Sequence, residues 1–410
     1  MTPQPRVAAA PLALFASIYA VQGIVVAYFF NFNKAYMVGA GVDERLVGGV
    51  ESLVLLPFVF KFLVGPLSDR VNLLGRGHRK PYILLGIVLQ TAGLIGLAVV
   101  DPGRHLWGFG ALAFLAIAGL ALYDTCCDGM VVDVTPPGDR ARVQGLLMLS
   151  RFLATMVCTL AFGLWLLRSG PGPAGARGVL WACAALGLIP LALAIPIPDP
   201  RRADDAEVFR WSALRALIRP RAIVLLIFGA IYSMMAVGGE INLSSYYRSL
   251  GFSQGDVGVF GATRYGGRAV GALLLPLAAS RLGRRSILTL GVLGLVLSTA
   301  GQAIVGGRPS AGALAFFFGV ANGWDDALFC VLAMEASDPR MAASTYALFM
   351  AVSNLSVGGD WLFASAVHAL GGNYAGTYLL AALVTLTTLF LIPILGRPAP
   401  RQEVHDGLSR

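Results

Sequence analysis

The chain is a succession of long apolar runs divided by short polar breaks. A helix needs about 20 apolar residues to cross a hydrocarbon core roughly 30 Å thick. Twelve runs meet or approach that length: 10–30, 46–66, 82–100, 106–134, 143–167, 178–198, 222–245, 256–280, 287–305, 311–336, 343–369 and 374–396. In lipid every backbone N–H and C=O must be bonded within the segment, which helices achieve. The pattern predicts an all-α polytopic membrane protein of twelve transmembrane helices. The first run is too long for a cleaved leader, and its small residues mark no single site. It is read as span 1.

The longest break, 199–221, divides the spans six and six. The expected units are a bundle over 1–198, a linker over 199–221 and a second bundle over 222–410. Val208, Trp211, Leu214 and Leu217 share one helical face of the linker, predicting a helix lying on the membrane surface. Placing both termini in the cytoplasm puts 20 Lys and Arg residues on that side and 7 on the other. This asymmetry follows the positive-inside rule.

Composition agrees with the pattern. Of 410 residues, 57% are hydrophobic and 13% charged, where soluble domains carry about 25% charge. A soluble enzyme, a disordered chain and a nucleic-acid binder are therefore excluded. The five cysteines lie in apolar runs without metal spacing, and the four histidines are scattered. No disulfide framework, metal site or cofactor is expected.

The halves resemble one another. An offset of 202 aligns Asp124 with Asp326, Asp133 with Glu335, Thr135 with Ser337 and Pro137 with Pro339. GPLSDR (65–70) after span 2 answers LPLAASR (275–281) after span 8, and Ile18-Tyr19 answers Ile231-Tyr232. Repeated bundles of this kind support alternating access.

Charge then separates into two signals. The net charge is +9, but the breaks and tails, with Asp256 at the edge of span 8 counted among them, hold +14 and the spans −5. Charge at a helix centre costs roughly 2.5–3.5 kcal/mol on insertion scales, so these residues need partners, water or a function. Lys61, Asp124, Asp128, Asp133 and Arg151 are expected to form one ionic cluster toward the cytoplasmic side, as a gate or an anion site. Arg264 and Arg268 lie one turn apart on span 8, with Asp325 and Asp326 on span 10 and Asp360 on span 11. Arginine grips carboxylate or phosphate in two places. The expected substrate-binding residues are Tyr19, Gln22, Lys61, Arg151, Arg264 and Arg268. The expected proton-coupling carboxylates are Glu51, Asp124, Asp326 and Asp360. Glu51 and Glu240 are placed near the external mouth, where simple solvation explains them equally well.

The segment FKFLVGPLSDRVNLLGRGHRKPYI (60–83) resembles the loop signature of the major facilitator superfamily. KFLVGPLSDR resembles the KFLWxPLxDR pattern of its muropeptide permease and acetyl-coenzyme A transporter branch. The run holding Asp124, Asp128 and Asp133 resembles the branch segment QDVVFDAYKTD, and LSRFLATM (149–156) resembles GYRLAML, with Arg151 at the arginine. Tyr123 stands where the branch has Gln. The resemblance implies two six-helix bundles and a cytoplasmic latch built from Asp69, Arg70, Arg79 and Lys80. Asp128 and Asp133 join this gate from span 4.

The expectation is a monomeric secondary transporter of the plasma (inner) membrane, moving a small, anionic organic solute with protons by alternating access. Its partners are that solute, protons and the lipid bilayer, with no nucleic acid. Two other classes stand beside it: a non-transporting assembly or sensor protein of the same fold, and an intramembrane aspartyl enzyme built on Asp124 and Asp326. The sequence shows no GxxxxGK[ST] loop for a nucleotide-driven pump.

Overall fold

The computed structural model describes residues 6–169, 173–199, 219–337, 341–354 and 358–397, and the regular structure among them is helical. The amphipathic linker segment 208–217 lies outside the described residues.

The first half begins with α1 (Ala9–Asn31) and a short α2 (Asn33–Gly39). It continues through α3 (Glu44–Phe60), α4 (Val64–Arg70), α5 (Lys80–Val99), α6 (Leu106–Val134), α7 (Arg140–Ser169) and α8 (Pro173–Ala194). The second half holds α9 (Pro220–Ser249), α10 (Gln254–Ala279), α11 (Arg284–Gly301) and α12 (Arg308–Ala336). It ends with α13 (Ala342–Asn354), α14 (Gly358–Ala369), α15 (Tyr374–Leu386) and α16 (Ile392–Leu395). Among the described residues ten helices are long and apolar enough to cross a membrane. Span 8 is a 26-residue helix, α10, but Arg264 and Arg268 lower its apolar content. Of span 11, the described helices are α13 and α14.

Two features depart from the twelve plain runs. Span 2 is interrupted by a 3-10 turn at Lys61–Leu63 between α3 and α4. Pro57 precedes the turn by one helical turn. A proline inside a helix removes one backbone bond and crowds the preceding turn. The break after span 1 contains α2, where the pattern predicts only a loop.

Within the first half, α5 packs on α6 and α8, and α1 on α7 and α8. Within the second, α10 packs on α12, α9 on α14 and α15, and α11 on α15. The halves meet through α7 against α10 and α12, and through α13 against α4 and α6. We call the end carrying the α4–α5 junction the basic end. There Gly65 and Gly129 lie so close to α13 that a Cβ would sit 2.7 Å from Ser344 Cα and from Ala343 Cβ respectively. The helix α14, on the other stretch of span 11, packs on α9 and α15 of its own half. The two bundles are thus drawn together at the basic end.

Candidate functional site

The polar interior of the first half is built on α6. Asp124 and Asp128 are one turn apart and share a face. Tyr19 and Gln22, three residues apart on α1, face them. Gln22 Nε2 donates to Asp124 Oδ1 at 2.6 Å, and the Tyr19 hydroxyl donates to Asp128 Oδ1 at 2.6 Å. Lys61, carried by the 3-10 turn that breaks span 2, donates through Nζ to Asp124 Oδ2 at 3.1 Å. None of these five residues is more than 8% exposed. Burial of both charges is tolerable because each is paired and the remaining oxygen accepts a further hydrogen bond.

The second half repeats the motif with different residues. Glu240 on α9 accepts from Arg264 and from Arg268, the latter at 2.9 Å. Arg268 also reaches Asp326 Oδ2 on α12 at 3.1 Å. This geometry depends on close contact between α10 and α12. A Cβ on Gly323 would lie 2.0 Å from the Arg268 carbonyl oxygen, and one on Gly319 would lie 2.1 Å from that of Arg264. Small residues permit such contact, and the contact brings Arg268 beside Asp326. The two aspartates aligned by the 202 offset, Asp124 and Asp326, therefore each hold a cation from the second span of their own half. The other aligned acids behave likewise. Arg79 Nε donates to Asp133 Oδ2 at 2.8 Å, and Arg284 pairs with Glu335.

The halves touch at this depth. The Arg268 guanidinium lies 4.9 Å from the ring of Phe152 on α7. Cation–ring contacts of this kind are worth roughly 0.5–2 kcal/mol. Arg151, the neighbour of Phe152, is half-buried, and its guanidinium makes no hydrogen bond or ion pair with the described residues.

A separate assembly links the halves at the basic end. Asp69, 2% exposed, pairs with Arg79 at 2.7 Å. Asp69 Oδ2 accepts from the Ser344 N–H at 2.7 Å and from its hydroxyl at 2.5 Å, a link from one half to the other. Asp199 accepts from the backbone N–H groups of His78, Arg79 and Lys80 at 2.8, 3.1 and 2.6 Å, capping α5. Lys80 Nζ donates to the Ile195 carbonyl at 2.6 Å.

The expected single cluster of Lys61, Asp124, Asp128, Asp133 and Arg151 is not what forms. At about 100° per residue, Asp133 lies half a turn around α6 from Asp124. It therefore faces Arg79 and the basic end, while Asp124 faces Lys61. Asp128, expected at the gate, is instead interior and bonded to Tyr19. Arg151 is not brought into ion-pair contact with any member of the cluster. Arg70 is exposed and unbonded among the described residues, unlike Asp69 and Arg79. Glu51 is half-buried on α3, with Lys34 as a neighbouring charge. The side chain of Asp360 lies outside the described residues. Glu240, expected near an external mouth, instead bridges two arginines. Its signal is the carboxylate itself, within an apolar run. Asp199 and Ser344 escape sequence reasoning, since a loop aspartate and a helix-start serine carry no distinctive pattern.

The model of the Major Facilitator Superfamily matches residues 12–358. The chain belongs to that superfamily. An anhydromuropeptide permease of Escherichia coli strain K12, another superfamily relative, is 29% identical over 366 residues, covering 85% of this chain and 72% of that protein. Among solved structures of superfamily transporters, FucP in its outward conformation overlays with a TM-score of 0.74 at 15% identity, covering 94% of this chain and 99% of that one. The human organic anion transporter MFSD10 overlays with a TM-score of 0.69 at 14% identity, covering 93% and 99%. These superfamily relatives are permeases and transporters, and the protein is a multi-pass membrane transporter of this fold. Twelve membrane-crossing helices are what the superfamily fold implies, with span 8 charged.

Proposed function

We propose that the protein is a proton-coupled transporter of an organic anion, working by alternating access. The observation that carries the reading is Arg151. It stands where the halves meet, beside the Phe152–Arg268 contact, and no described side chain pairs with its guanidinium. An arginine inside a bilayer needs a partner or water. A carboxylate or phosphate of a bound solute supplies that partner, and Arg264 and Arg268 border the same space. The similarity to an anhydromuropeptide permease supports a peptide- and sugar-bearing anion as the first solute to test.

Coupling is assigned to the paired carboxylates. Protonation of Asp326 weakens its hold on Arg268, and protonation of Asp124 weakens its hold on Lys61. Each freed cation then has an interaction to offer the solute. Glu51 and Asp360 remain proposed members of the proton path. The basic end is assigned to the cytoplasm, with both termini there, because the Lys and Arg excess lies on that side. Closure by Asp69 and Ser344 then corresponds to an outward-facing state.

Uptake of labelled anhydromuropeptide into proteoliposomes tests the reading. Accumulation is expected when the lumen is alkaline and to collapse with a protonophore. Asp326→Asn is expected to abolish accumulation while preserving exchange. Equal accumulation with and without the gradient removes proton coupling. Wild-type uptake in Arg151→Gln removes the anion anchor.

A further inference from the structure

A cleft of about 1470 Å³ opens between the halves near the basic end. Arg6, Arg140, Arg142 and Arg284 line it, with Asp139 and Glu335 as its acids. Leu146 and Leu149 of α7 and Leu277 of α10 belong to its apolar walls. It is distinct from the solute site, which lies deeper along α7 at Arg151.

The internal repeat explains why a cleft stands here. The offset of 202 takes Ser344 to Arg142, the third residue of α13 and of α7 respectively. Aligning GPLSDR with LPLAASR at their closing arginines takes Asp69 to Ser280. In the closed gate, Asp69 crosses between the halves to Ser344. At the equivalent place the carboxylate is missing. Ser280 donates to the Leu277 carbonyl of its own helix, and Arg142 is held by Asp139 of its own half at 3.1 Å. Glu335 engages Arg284. Arg6 and Arg140 form no ion pair among the described residues, and the buried Nε of Arg140 has no acceptor. One gate has its anion built in. The other has surplus cations over apolar walls.

We propose that an anionic phospholipid occupies this cleft, with its phosphate at Arg140 and Arg6 and its acyl chains along the walls formed by α7 and α10. The phosphate supplies the charge that Asp69 supplies to the other gate. A lipid is favoured over a soluble anion because the walls beside the arginines are apolar. Cationic clusters at the membrane surface attract anionic headgroups at about 1 kcal/mol per residue in general. Since the walls come from both halves, the lipid ties them together in the closed state.

The test uses the full chain in phosphatidylcholine nanodiscs containing a minority of phosphatidylglycerol, with retained lipids counted by native mass spectrometry. One phosphatidylglycerol per protein is expected to survive conditions that strip phosphatidylcholine. Arg140→Gln, which removes a cation, is expected to lower retention about tenfold, equivalent to ~1.4 kcal/mol. Ser280→Asp supplies the missing carboxylate from the protein and is expected to expel the lipid by the opposite change. A melting curve on each variant separates lipid loss from misfolding. Glycerol phosphate added in solution is expected not to compete. Equal retention of the two lipids, wild-type retention in Ser280→Asp, or full competition by glycerol phosphate would each overturn the proposal.

Discussion

Asp124 shows how a single buried charge is made tolerable and why it depends on its partner. Its carboxylate accepts from Lys61 at 3.1 Å and Gln22 at 2.6 Å, so both oxygens are used. Removing one member of a buried pair leaves an uncompensated charge and costs roughly 3–5 kcal/mol. Lys61→Met is therefore expected to lower the melting temperature in detergent sharply. Lys61→Met combined with Asp124→Leu is expected to recover most of that loss, since neither charge then remains. A double variant no more stable than Lys61→Met would show that the two residues are not energetically linked. The charges themselves were legible in the sequence, because an ionised group inside an apolar run has few innocent explanations. Their partners were less so. Asp133 turns away from Asp124 by helical phase, and that alone sends it to Arg79. Glu240 escaped because its position near a span end resembled interfacial solvation.

The α10–α12 contact carries the second-half network, and glycine sets its distance. A Cβ on Gly267 would lie 2.2 Å from the Phe316 carbonyl oxygen, too close for any side chain without a shift of backbone. On the same helix a Cβ on Gly261 would meet nothing within 4 Å. Gly267→Ala is expected to push the helices apart, to cost roughly 1–3 kcal/mol in thermal unfolding and to reduce transport through the displaced Arg268. Gly261→Ala is expected to be neutral, or stabilising by about 0.5–1 kcal/mol through lower chain entropy. Equal losses in both variants would rule out the packing argument. Element lengths could be read from hydropathy, since the bilayer fixes them. Element breaks could not. Pro57 was visible, but the 3-10 turn that presents Lys61 depends on how α3 and α4 pack against α6. Among the described residues ten spans are long and apolar enough to cross a membrane, whereas Arg264 and Arg268 lower the apolar content of α10.

At the scale of the molecule, the internal repeat organises both the interior pairs and the closure. Aligned acids hold cations in the two halves, Asp124 with Lys61 and Asp326 with Arg268. The offset that paired these acids was readable from sequence, but the cations lie on helices where the repeat has decayed. Symmetry fails at the basic end, where Asp69 has no acidic counterpart. That asymmetry concentrates the closing force in one buried carboxylate that crosses to Ser344 and is oriented by Arg79. Hydrogen bonds to charged groups contribute roughly 1.5–3 kcal/mol, and a ligand-free equilibrium moves tenfold for each ~1.4 kcal/mol. Asp69→Asn keeps the shape but removes the charge, so the state open at the basic end should gain at least about tenfold in population. Spin labels at the exposed positions Arg70 and Ser280, one on each half, report that opening as a second, longer distance. The wild type is expected to give a single short distance, and Asp69→Asn both. If the two distributions coincide, closure rests on the packing of Gly65 and Gly129 against α13, and the Asp69 charge serves only to orient Arg79.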